Sequence, residues 1–228
     1  MSKKTGLWCL KMSTIELLRK EIERDVFDYN QLMLALSAYN KPRDVVTSLL
    51  QQEKIIRIRK GLYCFNDFWK KQPVLHEAIA NLVYGPSAIS LDFALSYFGL
   101  IPEKVTTITS VTFTRSRIYE TPLGRFSYTH IPQPSFSCGL TIEKSGNYQW
   151  LIALPIKALA DKVWTDKRFK PSSPASFESY LFDDLRIDET TLTGVLTSGN
   201  LREIKEKYST RKVGWMVDFL FKKVIRHE

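Results

Sequence analysis

Residues 55–65 read Ile55-Ile56-Arg57-Ile58-Arg59-Lys60-Gly61-Leu62-Tyr63-Cys64-Phe65. Ile56 and Ile58 alternate with Arg57 and Arg59 at the period of two that half-buries a strand, and Gly61 supplies backbone free to turn. The stretch predicts a small basic β-hairpin. Just upstream, Pro42 stands where a first helical turn loses nothing by a missing N–H, and Val45, Val46, Leu49 and Leu50 follow at helical spacing. This predicts a helix from Pro42 to about Glu53, buried along that stripe.

Two capping signatures mark two earlier helices. Ser13 and Glu16 are spaced as a capping box ahead of Ile15, Leu18 and Ile22, which predicts a helix over about 14–24. Asp28 with Gln31 repeats the signal ahead of Leu32, Ala35 and Leu36, which predicts a short helix to about Ser37. Ala38 to Lys41 form the turn into the third helix. Three short helices, a tight turn and a trailing basic ribbon make the winged variant of the helix-turn-helix, in which the third helix enters the major groove and the wing grips phosphates. With Val46, Leu49 and Leu50 turned to the core, Arg43, Thr47, Ser48, Gln51 and Gln52 face outward with groups able to bond bases or phosphates. Arg57, Arg59 and Lys60 are the wing's candidates for backbone contact. The alternative is a protein-interaction module of the same fold whose basic residues only solvate its surface.

Charge supports the nucleic-acid reading. The 228 residues carry 33 Lys/Arg against 24 Asp/Glu, a formal +9, with pI near 9.4, and such a balance favours anionic partners. Residues 1–74 hold 14 Lys/Arg and 8 Asp/Glu, so a third of the chain carries +6 of that excess. Lys70-Lys71-Gln72-Pro73 closes this segment with a helix-stopping proline. The expected division is a leader over 1–11, a DNA-binding domain over 12–72 and a second domain over 75–228. Met12 directly precedes the Ser13 box, so the first eleven residues read as a leader or a mis-assigned start.

The second region begins with an amphipathic stretch, Leu75 to Tyr84, and a helix expected over Ile89 to Leu100. Val105 to Thr114, Gly124 to Ile131, Gly139 to Glu143 and Tyr148 to Ala153 are strand-like, with Pro, Gly and Asn between them. They predict an antiparallel sheet of four or five strands over about 105–153. A helical tail follows: a helix after Pro155 with Ile156, Leu159, Ala160 and Val163 on one face, then Phe177 to Leu185, Leu201 to Tyr208 and Gly214 to Val224. The fold class is α+β: a winged helix followed by a mixed α/β domain.

Signals for chemistry are sparse. Cys9, Cys64 and Cys138 are odd in number and widely spaced, so neither a disulfide framework nor a thiolate metal site is expected, and a reducing, cytoplasmic home fits. No apolar run approaches the roughly 20 residues of a membrane helix. His76, His130 and His227 are isolated, and no zinc-protease, nucleophile-elbow or P-loop motif occurs. No enzyme, cofactor or metal is therefore expected. The rival reading is a metal-dependent nuclease using Asp183, Asp184, Asp188 and Glu189, since hard cations take clustered oxygens; a solvated helix end is the plainer account. Lys157 and Asp161, at i, i+4 spacing, are candidates for pairing with each other or for contacting a partner. Trp215 and Phe219, four apart on the last helix, read as core.

The chain resembles the AbiEi-type antitoxins, transcriptional regulators of bacterial toxin–antitoxin and abortive-infection (phage-defence) systems. The marks are Ile58-Arg59-Lys60-Gly61-Leu62-Tyr63; Ile89-Ser90-Leu91 through Ala94-Leu95 to Gly99-Leu100-Ile101-Pro102; Thr121-Pro122-Leu123-Gly124-Arg125-Phe126-Ser127-Tyr128; and Ile152-Ala153-Leu154-Pro155-Ile156-Lys157-Ala158-Leu159-Ala160-Asp161. Phe93 stands where that family has a small serine, and Ile156 where glutamate often precedes Lys-Ala-Leu. The resemblance implies an N-terminal domain that represses its own operon at inverted repeats. It also implies a C-terminal domain that counteracts a nucleotidyltransferase-like toxin encoded beside it, directly or functionally.

Overall fold

A computed structural model of the chain describes residues 12–227, with side chains as far as Lys223. The leader expected over 1–11 lies outside them. The chain divides into two compact units, Met1–Val74 and Leu75–Glu228.

In the first unit, α1 spans Thr14–Glu21, and its capping box forms: Ser13 Oγ accepts the Glu16 N–H and the Glu16 carboxylate accepts the Ser13 N–H at 2.7 Å. The helix stops short of residue 24 because Ile22 turns extended and is buried. A strand that the sequence pattern did not predict, β1 (Val26–Asp28), follows. Asp28 caps α2 (Tyr29–Ala35), exchanging 2.9 Å hydrogen bonds with Gln31. Next, α3 covers Pro42–Gln51 with Pro42 in its first turn, and it ends before Glu53, whose φ of 52° leaves the helical region.

The hairpin is β2 (Ile55–Arg59) and β3 (Leu62–Phe65), joined through Gly61 at φ 85°. With β1 they form an antiparallel sheet of order β1-β3-β2. The three helices and this sheet close one core around Leu18, Phe27, Leu32, Val46, Leu49 and Phe65. Phe27 and Phe65 meet at 4.8 Å between ring centroids, tilted by 53°, an arrangement worth about 1 kcal/mol beyond the area it buries. Behind that pair, Arg19 donates to Asp25 at 2.7 Å and lies over the Phe65 ring, and Asp25 accepts the N–H groups of Lys71 and Gln72 at 2.9 and 3.2 Å. The far end of the unit is thereby tied to the start of β1 through buried Asp25, with Arg19 partly buried beside it.

The second unit runs α4 (His76–Val83), β4 (Ala88–Ile89), α5 (Leu91–Tyr97), β5 (Ile108–Thr112), β6 (Arg117–Thr121), β7 (Gly124–His130), α6 (Gln133–Phe136), β8 (Leu140–Ser145), β9 (Tyr148–Ala153) and α7 (Pro155–Thr165). The tail is a 3₁₀ turn at Pro174–Ser176, α8 (Phe177–Ser179), a π-helical turn at Tyr180–Asp184, α9 (Glu189–Val195), α10 (Ser198–Lys207) and α11 (Arg211–His227).

Its sheet has six strands in the order β6-β7-β5-β4-β9-β8 and is mixed, correcting the antiparallel sheet of four or five strands. β4 runs parallel to β9 and β5 parallel to β7, while β4–β5, β6–β7 and β8–β9 are antiparallel. The β6–β7 hairpin folds back so that β7, not β6, lies beside β5. The single helix expected over 89–100 is instead the short central strand β4 followed by α5, whose first residue, Leu91, has φ 60°. The helix expected over Phe177 to Leu185 is likewise broken, into α8 and the π-helical turn.

Overall the architecture is α+β. Among the described residues, no helix is long and apolar enough to cross a membrane.

Candidate nucleic-acid interface

The basic surface of the first unit is organised by α3. Val46 and Leu49 are buried and Val45 and Leu50 half-buried against the core, which fixes the rotation of the helix about its axis. Arg43, Thr47, Gln51 and Gln52 are exposed as a result, and Ser48 is half-buried. Two of the outward groups are already engaged. The Thr47 hydroxyl donates to the Arg43 carbonyl at 3.1 Å, which leaves its methyl group as its presented surface. The Gln52 amide donates to Ser48 Oγ at 2.8 Å, so that pair is tied to itself, whereas bidentate reading of adenine needs both ends of an amide. Arg43 and Gln51 are the two long side chains of the helix best placed to reach a ligand.

On the hairpin, Arg57, Arg59 and Lys60 are exposed while Ile58 is buried. Arg57 pairs with Tyr63 and Arg59 with Leu62, so Ile58 is the extra residue of a bulge. Ile58 is buried between the exposed Arg57 and Arg59 up to the turn. The Arg59 guanidinium donates to the Lys60 carbonyl at 3.2 Å, and the Gly61 carbonyl accepts the Tyr29 N–H at 3.0 Å, anchoring the turn to α2. Among the described residues, Arg43, Arg57 and Lys60 pair with no carboxylate, in contrast to Arg19 and Lys70, which do. Their charge is therefore available to an anion in solution.

One outward residue of this helix is not among those expected from the sequence. Asp44 is exposed on the same face of α3, and helical periodicity could have placed it there.

The second unit places its singled-out residues differently. Lys157 and Asp161, candidates for a partner contact, have no side-chain exposure and pair at 2.6 Å. That role is corrected, because a partner cannot reach them through a closed core. Lys157 also donates to the Tyr208 hydroxyl at 2.7 Å, Ser90 donates to Asp161 at 2.6 Å, and the Tyr208 hydroxyl bonds Asp161. Burial, and then the Asp161 carboxylate, hold the Tyr208 phenol far above its ordinary pKa.

Two of the four carboxylates of the nuclease reading are engaged elsewhere. Asp188 caps α9 by accepting the Thr191 N–H at 2.6 Å, and Glu189 pairs with Lys223 at 2.6 Å. Among the described residues, no group of three or more His, Cys, Asp or Glu is placed to hold a metal ion. The His130 ring is bonded through Nδ1 to the Thr114 carbonyl at 2.7 Å. Phe219 is buried as core and Trp215 half-buried with the Arg211 guanidinium 4.3 Å from its ring centroid.

No protein-family model matches the chain, and the curated proteins contain no match. Among solved structures, the chain is similar to the crystal structure of the RV2827C protein from Mycobacterium tuberculosis. The likeness has a TM-score of 0.54 at 13% sequence identity and covers 90% of this chain and 75% of that one. At that identity it is a likeness of fold.

Proposed function

We propose that the first unit is a winged helix-turn-helix that binds double-stranded DNA, and that the protein represses its own operon. The observation that carries this reading is the two-sidedness of α3. Val46 and Leu49 lock one side into the core, and Arg43, Thr47 and Gln51 stand exposed on the other, beside a hairpin presenting Arg57, Arg59 and Lys60. The helix supplies hydrogen-bonding and methyl groups for base edges, and the hairpin supplies cations for phosphates. Inverted repeats would then be read by two copies whose α3 helices lie about one DNA turn, roughly 34 Å, apart.

The test is a titration of the protein's own upstream region against an unrelated duplex at two salt concentrations. The expected result is preference for the upstream region and an affinity that falls steeply with salt. Replacing Arg57 and Arg59 with alanine is expected to weaken binding to every sequence and to lower the salt slope by about 0.9 for each phosphate left without its cation. An unchanged slope removes the hairpin from the interface.

The antitoxin half of the proposal rests on the resemblance to AbiEi-type proteins and is assigned to the second unit. That unit has its own sheet, helices and core. A fragment beginning at Leu75 is expected to rescue growth against a nucleotidyltransferase-like toxin encoded beside this protein. Failure of a fragment shown to be folded would place antitoxin activity elsewhere.

A further inference from the structure

Asp44 lies in the first turn of α3. Successive residues of a helix are about 100° apart. Asp44 and Gln51 therefore lie within about 10° of the direction opposite the midpoint of the buried Val46 and Leu49. An acidic group thus stands at the centre of the face that, on the DNA reading above, meets a polyanion.

Structural duties account for little of it. The carboxylate does not cap the helix, and among the described residues it accepts no hydrogen bond and pairs with no cation, although Arg43 is its neighbour. A favourable interaction with the helix dipole remains, and an exposed acid in any first turn has that. Around it, Ser48 and Gln52 are bonded to each other and the Thr47 hydroxyl is bonded to backbone. Asp44 is therefore the one free acceptor-only group among the outward side chains of α3.

A carboxylate facing DNA does two things. It repels phosphate, which disfavours every duplex that offers no compensation, and it accepts from the N4 amino group of cytosine, the one base edge in the major groove that presents only a donor. We propose that Asp44 is the specificity-determining residue of the interface, reading a cytosine amino group and disfavouring duplexes that lack one at that position. The inference rests on the DNA reading.

The experiment is selection from a random duplex library by the full chain, by Asp44→Asn and by Asp44→Ala, followed by titration of the enriched and unrelated duplexes. Thermal unfolding of each variant reports that it is folded. The wild type is expected to enrich a site with one C·G pair whose replacement weakens binding about tenfold. Asp44→Asn is expected to shift that position towards adenine, which an asparagine amide reads bidentately, and to bind unrelated duplexes more tightly than wild type. Asp44→Ala is expected to lose the preference without gaining another.

If both variants enrich the wild-type site and leave unrelated binding unchanged, Asp44 is a helix-end charge and the proposal is overturned while the DNA reading stands. If the wild type enriches nothing and binds no duplex in a salt-dependent way, the DNA reading itself falls, and this proposal with it.

Discussion

Lys157 is a lysine with no exposed surface, held by a carboxylate and a phenol. The cost of taking two charges out of water is offset only because every partner is present. Lys157→Met removes the cation and leaves Asp161 buried with Tyr208 and Ser90. This substitution is expected to destabilise the second unit by about 3–5 kcal/mol in a denaturant titration. A loss below about 1 kcal/mol would mean that the buried pair contributes little to the stability of the unit. Gly139 is part of the same arrangement. It sits at φ 58°, and a methyl group there would lie 2.8 Å from Lys157 Cβ. Gly139→Ala is therefore expected to cost about 1–3 kcal/mol, from backbone strain and displacement of the lysine stem. The i, i+4 spacing of Lys157 and Asp161 was legible in the sequence, but their depth was not. α7 is buried from Pro155 to Asp161, and a helix covered on all sides has no polar stripe to reveal which of its charges lie inside.

Elements whose cause is local were legible, and those whose cause is distant were not. The Ser13–Glu16 and Asp28–Gln31 boxes and Pro42 act within one helical turn, so their residues announce α1, α2 and α3. Asp28→Ala is expected to cost about 1 kcal/mol through loss of the cap on α2, read from the unfolding midpoint of the first unit. Glu16 offers a check by pH. The Ser13 N–H and O–H hold its carboxyl below the ordinary carboxylate range. Its contribution is thus present above that range and is lost as pH falls through the lowered value. Glu16→Gln, which removes the titrating carboxyl, should flatten this part of the acid limb of stability; an identical acid limb would sink the assignment.

By contrast, β1 and β4 have three and two residues, too few to display any period. They are strands because β3, or β5 and β9, lie beside them. Which strands run parallel is likewise decided by where hairpins land, which no stretch of sequence records. Asp44 was hidden for a different reason: a search for groups that attract phosphate ignores one that repels it, although the same helical period exposes both.

At the scale of the whole chain, two units each close their own core, and the surplus positive charge is concentrated in the smaller one. The proposed functions follow the same division, DNA contact in the first unit and antitoxin activity in the second. A cut near Val74 should therefore separate them without unfolding either, and circular dichroism of the two fragments is expected to sum to that of the intact chain.

Among the described residues, each unit encloses one cysteine, Cys64 on β3 and Cys138 before β8, both buried. Burial pushes each thiol up to about 11, so at pH 8 each is both shielded and protonated. A thiol-modifying reagent can reach either sulfur only when its own unit opens. The chain thus carries two internal clocks. Peptide mapping after timed labelling would read the opening of each unit separately, within one molecule and without an added probe. Operator DNA is expected to slow the labelling of Cys64 and to leave that of Cys138 unchanged.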